Sequence, residues 1–472
     1  MLRPWKLELQ LDPASDKAIY LQIADAIIAD IQSGRLKSGT ALPGSRILAR
    51  DLQLNRNTIV EALNVLLHEE WLVSKERKGT FVADVLPALP VTKQVAGTVA
   101  TPETPKIAIR INFDDGSPDS KIAPVAALAR AYRQIFNRKA RWQMMGYGDD
   151  KGDTAFRNAI VQMLNHQRGM QLDEQQLFIT RGSQMAMYLT AHCLLKKGDY
   201  VLVESPGYQP AWRAFEHAGA QLLPVKVDQD GLMVEEVRKW LQRHPGIKAI
   251  YTTPHHQYPT TVTLSLQRRL ELIRLSNEYD FTIIEDDYDN EFHFGYRPVL
   301  PLSSYPELKN YVYIGTMSKV VAPALRIGYL ASKDKAFLDL VAAHRRIIDV
   351  QGDAIMEQAV LQLIQDGTIK RHLKKATQYY KGKRDVVAAL LKKYLGSKAG
   401  FDVPEGGLAF WVAPKCPVDW QLVQAHLQQK GIRILHPETY SFKQTANGLR
   451  LGYAYLSEAQ LEEGLKALGA CL

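Results

Sequence analysis

Between about Asp84 and Arg110 the chain loses the means to bury itself. Pro87, Pro90, Pro102 and Pro105 punctuate small and polar residues there, and no aromatic residue appears. Such a stretch removes too little apolar area from water to offset the entropy of ordering it. It reads as an extended linker over residues 84–110. A chain interrupted in this way needs two separate cores, and 472 residues are enough for both.

The first core belongs to residues 1–83. Ile19, Ile23, Ile27 and Ile31 fall on one helical face, and Gly34 stops that helix. Pro43-Gly44-Ser45 opens a second helix, with Ser45 placed to cap Arg46 to Leu52. Asn55 is placed to cap a third, Arg56 to Glu70, whose buried stripe is Ile59, Leu63 and Leu66. Trp71-Leu72-Val73 and Thr80-Phe81-Val82 flank a charged turn and predict a hairpin. Helix, helix, turn, helix and hairpin is the order of a winged helix-turn-helix, a mainly α domain.

Charge sharpens this reading by its placement rather than its total. The net +9 is common among enzymes, and residues 1–84 are near neutral. Yet Arg35, Lys37, Arg46, Arg50 and Arg56 face only Asp51 between positions 35 and 60. Lys75, Arg77 and Lys78 follow against Glu76. In a DNA reader, Arg56, Asn57 and Thr58 would stand at the start of the recognition helix, where Arg and Asn read base edges and Thr holds phosphate. Arg46 would grip the backbone, and Lys78 and Thr80 would reach it from the wing. On helix pattern alone, a small helical interaction domain with solvated basic residues stands level with that reading.

Residues 111–472 alternate apolar β-type runs with amphipathic helical stretches. Tyr200 to Val203, Ala249 to Thr252, Phe281 to Ile284 and Val312 to Ile314 are the clearest runs. The alternation predicts an α/β sandwich around a largely parallel sheet. A helical region, about 336–396, precedes a smaller C-terminal α+β portion containing Phe410-Trp411-Val412 and Leu449 to Tyr453. No stretch is apolar enough to span a bilayer, and the N-terminus lacks the apolar segment of a secretory signal. Cys193, Cys416 and Cys471 are odd in number and without metal spacing. They are expected to be free thiols in a reducing cytoplasm, and no metal site is expected.

The sharpest chemical signal is Gly315-Thr316-Met317-Ser318-Lys319, with Arg326 seven residues beyond. A lysine on a loop after a strand can condense with an aldehyde cofactor, and nearby hydroxyls with a returning arginine suit a phosphate. Any lone lysine is more often a solvated charge; the combination carries the weight. Glu285-Asp286-Asp287-Tyr288 closes another strand, where open α/β sheets bind ligands. An acidic turn or a metal site is the alternative there. Thr180-Arg181-Gly182-Ser183-Gln184 starts a helix whose free N–H groups favour phosphate, although such turns also serve as plain caps. Tyr208 is placed to stack on a ring or simply to pack, and His256 follows a further strand.

Two resemblances join these observations. Tyr20-Leu21-Gln22-Ile23, Ser33-Gly34-Arg35-Leu36, Leu42-Pro43-Gly44-Ser45-Arg46, Asn55-Arg56-Asn57-Thr58 and Gly79-Thr80-Phe81-Val82 resemble the GntR-type winged helix in order and spacing. That family often has Gly-x-Gly at the wing tip, where this chain has Arg77-Lys78-Gly79. From about residue 111 the motifs resemble fold-type I aminotransferases. The resemblance implies pyridoxal 5'-phosphate, with Lys319 as Schiff-base lysine and Asp286 on the ring nitrogen. It implies Tyr288 and His256 on the ring oxygen and Tyr208 stacked on the ring. It puts Ser183, Gln184, Ser318 and Arg326 around the phosphate and Arg450 on an effector carboxylate. One departure is that an asparagine before Pro-Thr-Gly is replaced by His256 and then Pro259-Thr260-Thr261.

In that order and joined by a linker, the two halves resemble the MocR family of GntR-superfamily regulators. The family resemblance implies a homodimer reading paired operator half-sites on double-stranded DNA. It also implies that an amino compound, or the cofactor itself, is sensed as an external aldimine displaces Lys319. The competing reading is an aminotransferase with an accessory N-terminal domain. A half-reaction fits either reading, since Lys319 remains available to carry protons.

Overall fold

The computed structural model describes residues 7, 12, 15–76, 78–87, 108–137, 142, 145–295 and 299–472. Most of the expected linker, residues 88–107, and Arg77 of the wing lie outside the described residues. By internal contacts the chain divides into two compact units, Met1–Thr104 and Pro105–Leu472.

In the N-terminal unit, α1 (Ile19–Gln32), α2 (Ser45–Leu52) and α3 (Arg56–His68) precede β1 (Leu72–Lys75) and β2 (Gly79–Val82). The two strands pair antiparallel, Leu72 opposite Val82. Ile23, Ile27, Ile31, Ile59, Leu63 and Leu66 are buried together with Trp71 and Val82. Ile19 is the exception to the α1 stripe and lies exposed on its first turn.

Helix caps divide the sequence expectations. Asn55 caps α3, its Oδ1 accepting the Asn57 N–H at 2.9 Å. The N-cap of α2 is Gly44, not Ser45: Gly44 takes the extended backbone of a cap and Ser45 is already helical. Ser45 Oγ instead accepts from Arg56 Nε at 3.5 Å, so it joins the starts of α2 and α3. Helix α3 stops two residues before the expected Glu70, which turns to φ 61°. Asn55→Ala is expected to lower the stability of this unit by about 1 kcal/mol, read as a lower denaturant midpoint.

The larger unit is built on an eight-stranded sheet. In spatial order its strands are Leu177–Thr180, Gly328–Ala331, Tyr311–Thr316, Thr282–Asp287, Ile247–Thr252, Tyr200–Ser205, Gln221–Asp228 and Gly231–Leu232. The five from Tyr311–Thr316 to Gln221–Asp228 pair in parallel, and Gly328–Ala331 runs antiparallel to both neighbours. Apolar layers cover both faces, one around Leu202, Ile250 and Ile283 and the other around Val201, Ala249 and Ile284. Adjacent strand residues thus pack into opposite layers, as the two-residue pleat requires.

The smaller subdomain pairs Ala399–Phe401, Ala409–Pro414 and Leu449–Gly452 antiparallel. It also takes Ile111–Phe113, which pairs in parallel with Ile432–Ile434 and buries Ile111 and Phe113 among the C-terminal helices. The first strand of the larger unit is therefore packed with its last hundred residues, which the sequence pattern did not reveal. No helix among the described residues is long and apolar enough to cross a membrane.

Candidate functional site

The parallel strands end together, and their carboxyl ends form one side of a cavity of about 180 Å³. Ser183, Tyr208, Asp286, Tyr288, Ser318, Lys319 and Arg326 line it, seven residues singled out in the sequence. Asp115, Ser117, Thr253, Tyr258, Thr316 and Pro323 complete the wall.

The acidic run shows how the pleat sorts like residues. Glu285 accepts from the main-chain N–H of Leu302 and Ser303, at 2.8 and 2.9 Å. Asp287 accepts from Tyr313 Oη at 2.6 Å and faces Arg168 and His255, which hold its carboxyl far below the usual range despite burial. Asp286, between them, points the other way. Its Oδ2 accepts from Tyr251 Oη at 2.8 Å, while its Oδ1 is buried with no partner among the described residues. Burial pushes its pKa up to about 7.

Opposite, Lys319 Nζ donates to the Gly116 carbonyl at 2.6 Å. Ser318 N–H donates to Thr316 Oγ1 at 3.0 Å, leaving Ser318 Oγ buried and unpartnered. The helix Ser183–Leu194 begins at Gly182 without a side-chain cap, so its first N–H groups are open. Gly182 has φ 79°, and a Cβ there would come within 2.8 Å of Arg326 Nη2. Arg326 Nη2 is anchored on the Arg181 carbonyl at 3.1 Å. Open helix N–H groups, an arginine and an unpartnered hydroxyl suit a phosphate, and the free Asp286 oxygen suits a ring N–H. The residues therefore fit pyridoxal phosphate. A cofactor bound there would supply an aldehyde that condenses reversibly with primary amines.

Three candidates lie off this wall. Gln184 donates to the Pro210 carbonyl at 2.9 Å. His256 is buried with Nδ1 2.7 Å from Asp289 Oδ1, and a Cβ on Gly406 would come within 2.6 Å of its Nε2. Its main-chain carbonyl accepts from Tyr288 Oη at 2.9 Å, so it meets the site through its backbone. Five residues on, Thr261 holds φ 65°, a left-handed conformation that a glycine takes without strain.

Arg450 is the third, 1% exposed and just behind the wall. It donates to the carbonyls of Asp115 and Pro259 at 2.9 and 3.1 Å and to Tyr288 Oη at 3.3 Å, with Tyr258's ring 4.8 Å away. No carboxylate among the described residues lies within ion-pair distance of it, so its charge is held only by neutral groups and at longer range.

In the N-terminal unit Arg46, Arg56 and Asn57 are exposed at the starts of α2 and α3, with Thr58 half-buried beside them. Lys78 is exposed at the turn of the hairpin, and Thr80 is half-buried on β2. Among the wall residues the sequence reading passed over, Asp115 and Ser117 follow the short strand Ile111–Phe113. Asp114-Asp115-Gly116 after an apolar run is the same kind of signal as Glu285-Asp286-Asp287.

Residues 108–468 match the family Aminotransferase class I and II, and residues 19–82 match Bacterial regulatory proteins, gntR family. The probable rhizopine catabolism regulatory protein MocR of Rhizobium meliloti is 28% identical over 98% of this chain and 95% of its own length. The HTH-type transcriptional regulator TauR of Rhodobacter capsulatus is 25% identical over 98% of each chain. Among solved structures, the multiple substrate aminotransferase of Thermococcus profundus is 26% identical with a TM-score of 0.72, covering 78% of this chain and 92% of that one. The chain belongs to the class I and II aminotransferase family over its larger unit and, with a GntR-type winged helix ahead of it, is a pyridoxal-phosphate-dependent, DNA-binding transcription regulator of the MocR type.

Proposed function

We propose that the larger unit senses a small amino compound, which takes the place of Lys319 on the cofactor and thereby changes how the winged helix holds DNA. The observation that carries this reading is the convergence of Lys319, the free Asp286 oxygen and the Arg326 cradle on one cavity, backed by an arginine without a carboxylate. In this reading Asp286 holds the ring nitrogen, Tyr288 the ring oxygen and Tyr208 the ring face. Ser183, Ser318 and Arg326 hold the phosphate, Gln184 and His256 support from behind, and Arg450 takes an effector's acid group.

Arg56, Asn57 and Thr58 are assigned to base edges and nearby phosphates, and Arg46, Lys78 and Thr80 to the backbone. Residues 1–83 form the DNA-reading domain, 84–110 the linker and 111–472 the sensor, acting in the cytoplasm on double-stranded DNA. The working form is a homodimer on paired half-sites. An exposed apolar surface supports it: Met145, Tyr147, Ile347 and Val350 are exposed on neighbouring segments joined by the Arg346–Asp150 pair at 2.5 Å.

An effector shifts DNA affinity only by as much as it favours one arrangement of the protein over another. Addition of the effective amine is therefore expected to move the visible absorption band and the affinity for a promoter fragment over the same concentration range. A band that moves while DNA affinity stays constant would sink the sensing role. A half-reaction fits this reading as well, since Lys319 remains available to carry protons; sustained turnover with an amino donor and a keto acid would instead establish an aminotransferase.

A further inference from the structure

Beside the cofactor cavity lies an outer one of about 560 Å³, and Asp115, Tyr208 and Tyr258 form the wall common to both. Asp115 sits on the loop after Ile111–Phe113, and that loop is firmly held. Asp114 accepts the N–H groups of Gly116 and Ser117 at 2.9 and 3.2 Å. The carbonyl of Asp115 accepts from Arg450 Nε at 2.9 Å, and the next carbonyl, Gly116, accepts from Lys319 Nζ at 2.6 Å. Asp115 thus lies beside the two side chains assigned to an effector's acid and amine.

Its own carboxylate makes no hydrogen bond or ion pair among the described residues, although every other acidic group near the cavity is engaged at least once. Its field reaches inward. Burial first, and Asp115 among the nearby charges, push the phenols of Tyr208 and Tyr258 upward, and Asp115 also helps keep Arg450 charged. Arg433, also on the wall of the outer cavity, is tied through Nε to Asn112 Oδ1 at 2.7 Å and is exposed. His436, on the same wall, stands 3.6 Å from Glu438. The wall shared by the two cavities therefore carries one free carboxylate, Asp115.

We infer that the effector is an amine with a second cationic centre a few bonds from the reacting nitrogen, as in a diamino acid, and that Asp115 selects it. This rests on the sensing role proposed above. A free carboxylate on a partly buried wall attracts an ammonium and repels an acid placed at the same point. Arg450 would take the effector's carboxylate, and Asp115 its second ammonium. Amino acids with an acidic side chain would meet repulsion at Asp115.

The test uses the cofactor-loaded, full-length protein titrated with ornithine, norvaline and glutamate, followed by the visible absorption band. Ornithine and norvaline differ by the terminal amine. Ornithine is expected to half-saturate at about one-tenth the norvaline concentration, with glutamate weakest, the scale of one well-placed charge pair. Asp115→Asn should bring the ornithine-to-norvaline ratio towards one, and Asp115→Glu should preserve it; the band of each loaded variant shows that it has folded. Equal half-saturation by ornithine and norvaline in the wild type, or a ratio unmoved by Asp115→Asn, overturns the assignment. A band that no amine moves overturns the sensing role itself, a separate result.

Discussion

A Lys319→Ala chain treated with pyridoxal phosphate and then borohydride is expected to keep no covalently fixed cofactor, where the wild-type chain is labelled at that residue. Lys319 is the only lysine on the cavity wall, so no second amine among the described residues stands ready to replace it. The cradle at Gly182 and Arg326 is untouched by the change, so the variant should still bind the cofactor without fixing it. Promoter binding should persist, because the winged helix has its own core, but its response to amines should vanish. Labelling retained in the variant would show that the reactive amine has been misassigned. A regulatory response retained without labelling would reduce the larger unit to a scaffold for the DNA-reading heads.

Asp286→Asn is expected to act in opposite directions on two measurements. In the cofactor-free fold the Asp286 pKa is about 7, raised by burial from the usual carboxylate range. A carboxyl with a raised folded pKa favours the native state while protonated. That advantage is lost as pH climbs from the unfolded value, about 4, through the folded one. At pH 8 the wild type therefore carries a buried charge with one unpartnered oxygen, and the amide does not. The cofactor-free variant should melt higher than wild type at pH 8, with the gap closing towards pH 5. Cofactor affinity should fall instead, by about 10- to 100-fold, as expected when a charge-assisted hydrogen bond is lost. A variant that melts lower at pH 8, or binds the cofactor as tightly as wild type, would remove Asp286 from the ring nitrogen.

Much of this was legible in the sequence because the signals were local and periodic. The four strand runs, the α3 cap at Asn55 and the lysine loop each depend on residues close in sequence. What escaped depends on partners far along the chain. The imidazole of His256 meets Asp289, 33 residues later, through Nδ1, a partner that its sequence neighbours do not announce. Glu285, Asp286 and Asp287 look interchangeable in sequence, and only the pleat turns one of them, Asp286, to the cavity wall, while Asp287 faces Arg168 and His255. Tyr258 and Thr253 come to the wall from the loop after Ile247–Thr252, where the sequence signals were His256 and Pro259-Thr260-Thr261 rather than these two residues. Ser45 failed as a cap because Gly44 already supplies the extended backbone, and the hydroxyl finds Arg56 instead.

The loop that carries Asp115 has a mechanical meaning as well. The polypeptide enters the larger unit by docking the Arg110 and Ile111 N–H groups on Gly431, then forms one short strand and arrives at Gly116. There a buried carbonyl depends on the ammonium of Lys319. An acceptor inside a protein does not stay idle cheaply, so if that nitrogen is drawn away, the peptide must turn or find another donor. Under the sensing role proposed above, a change at the lysine would therefore bear on the main chain only a few residues after it enters the larger unit.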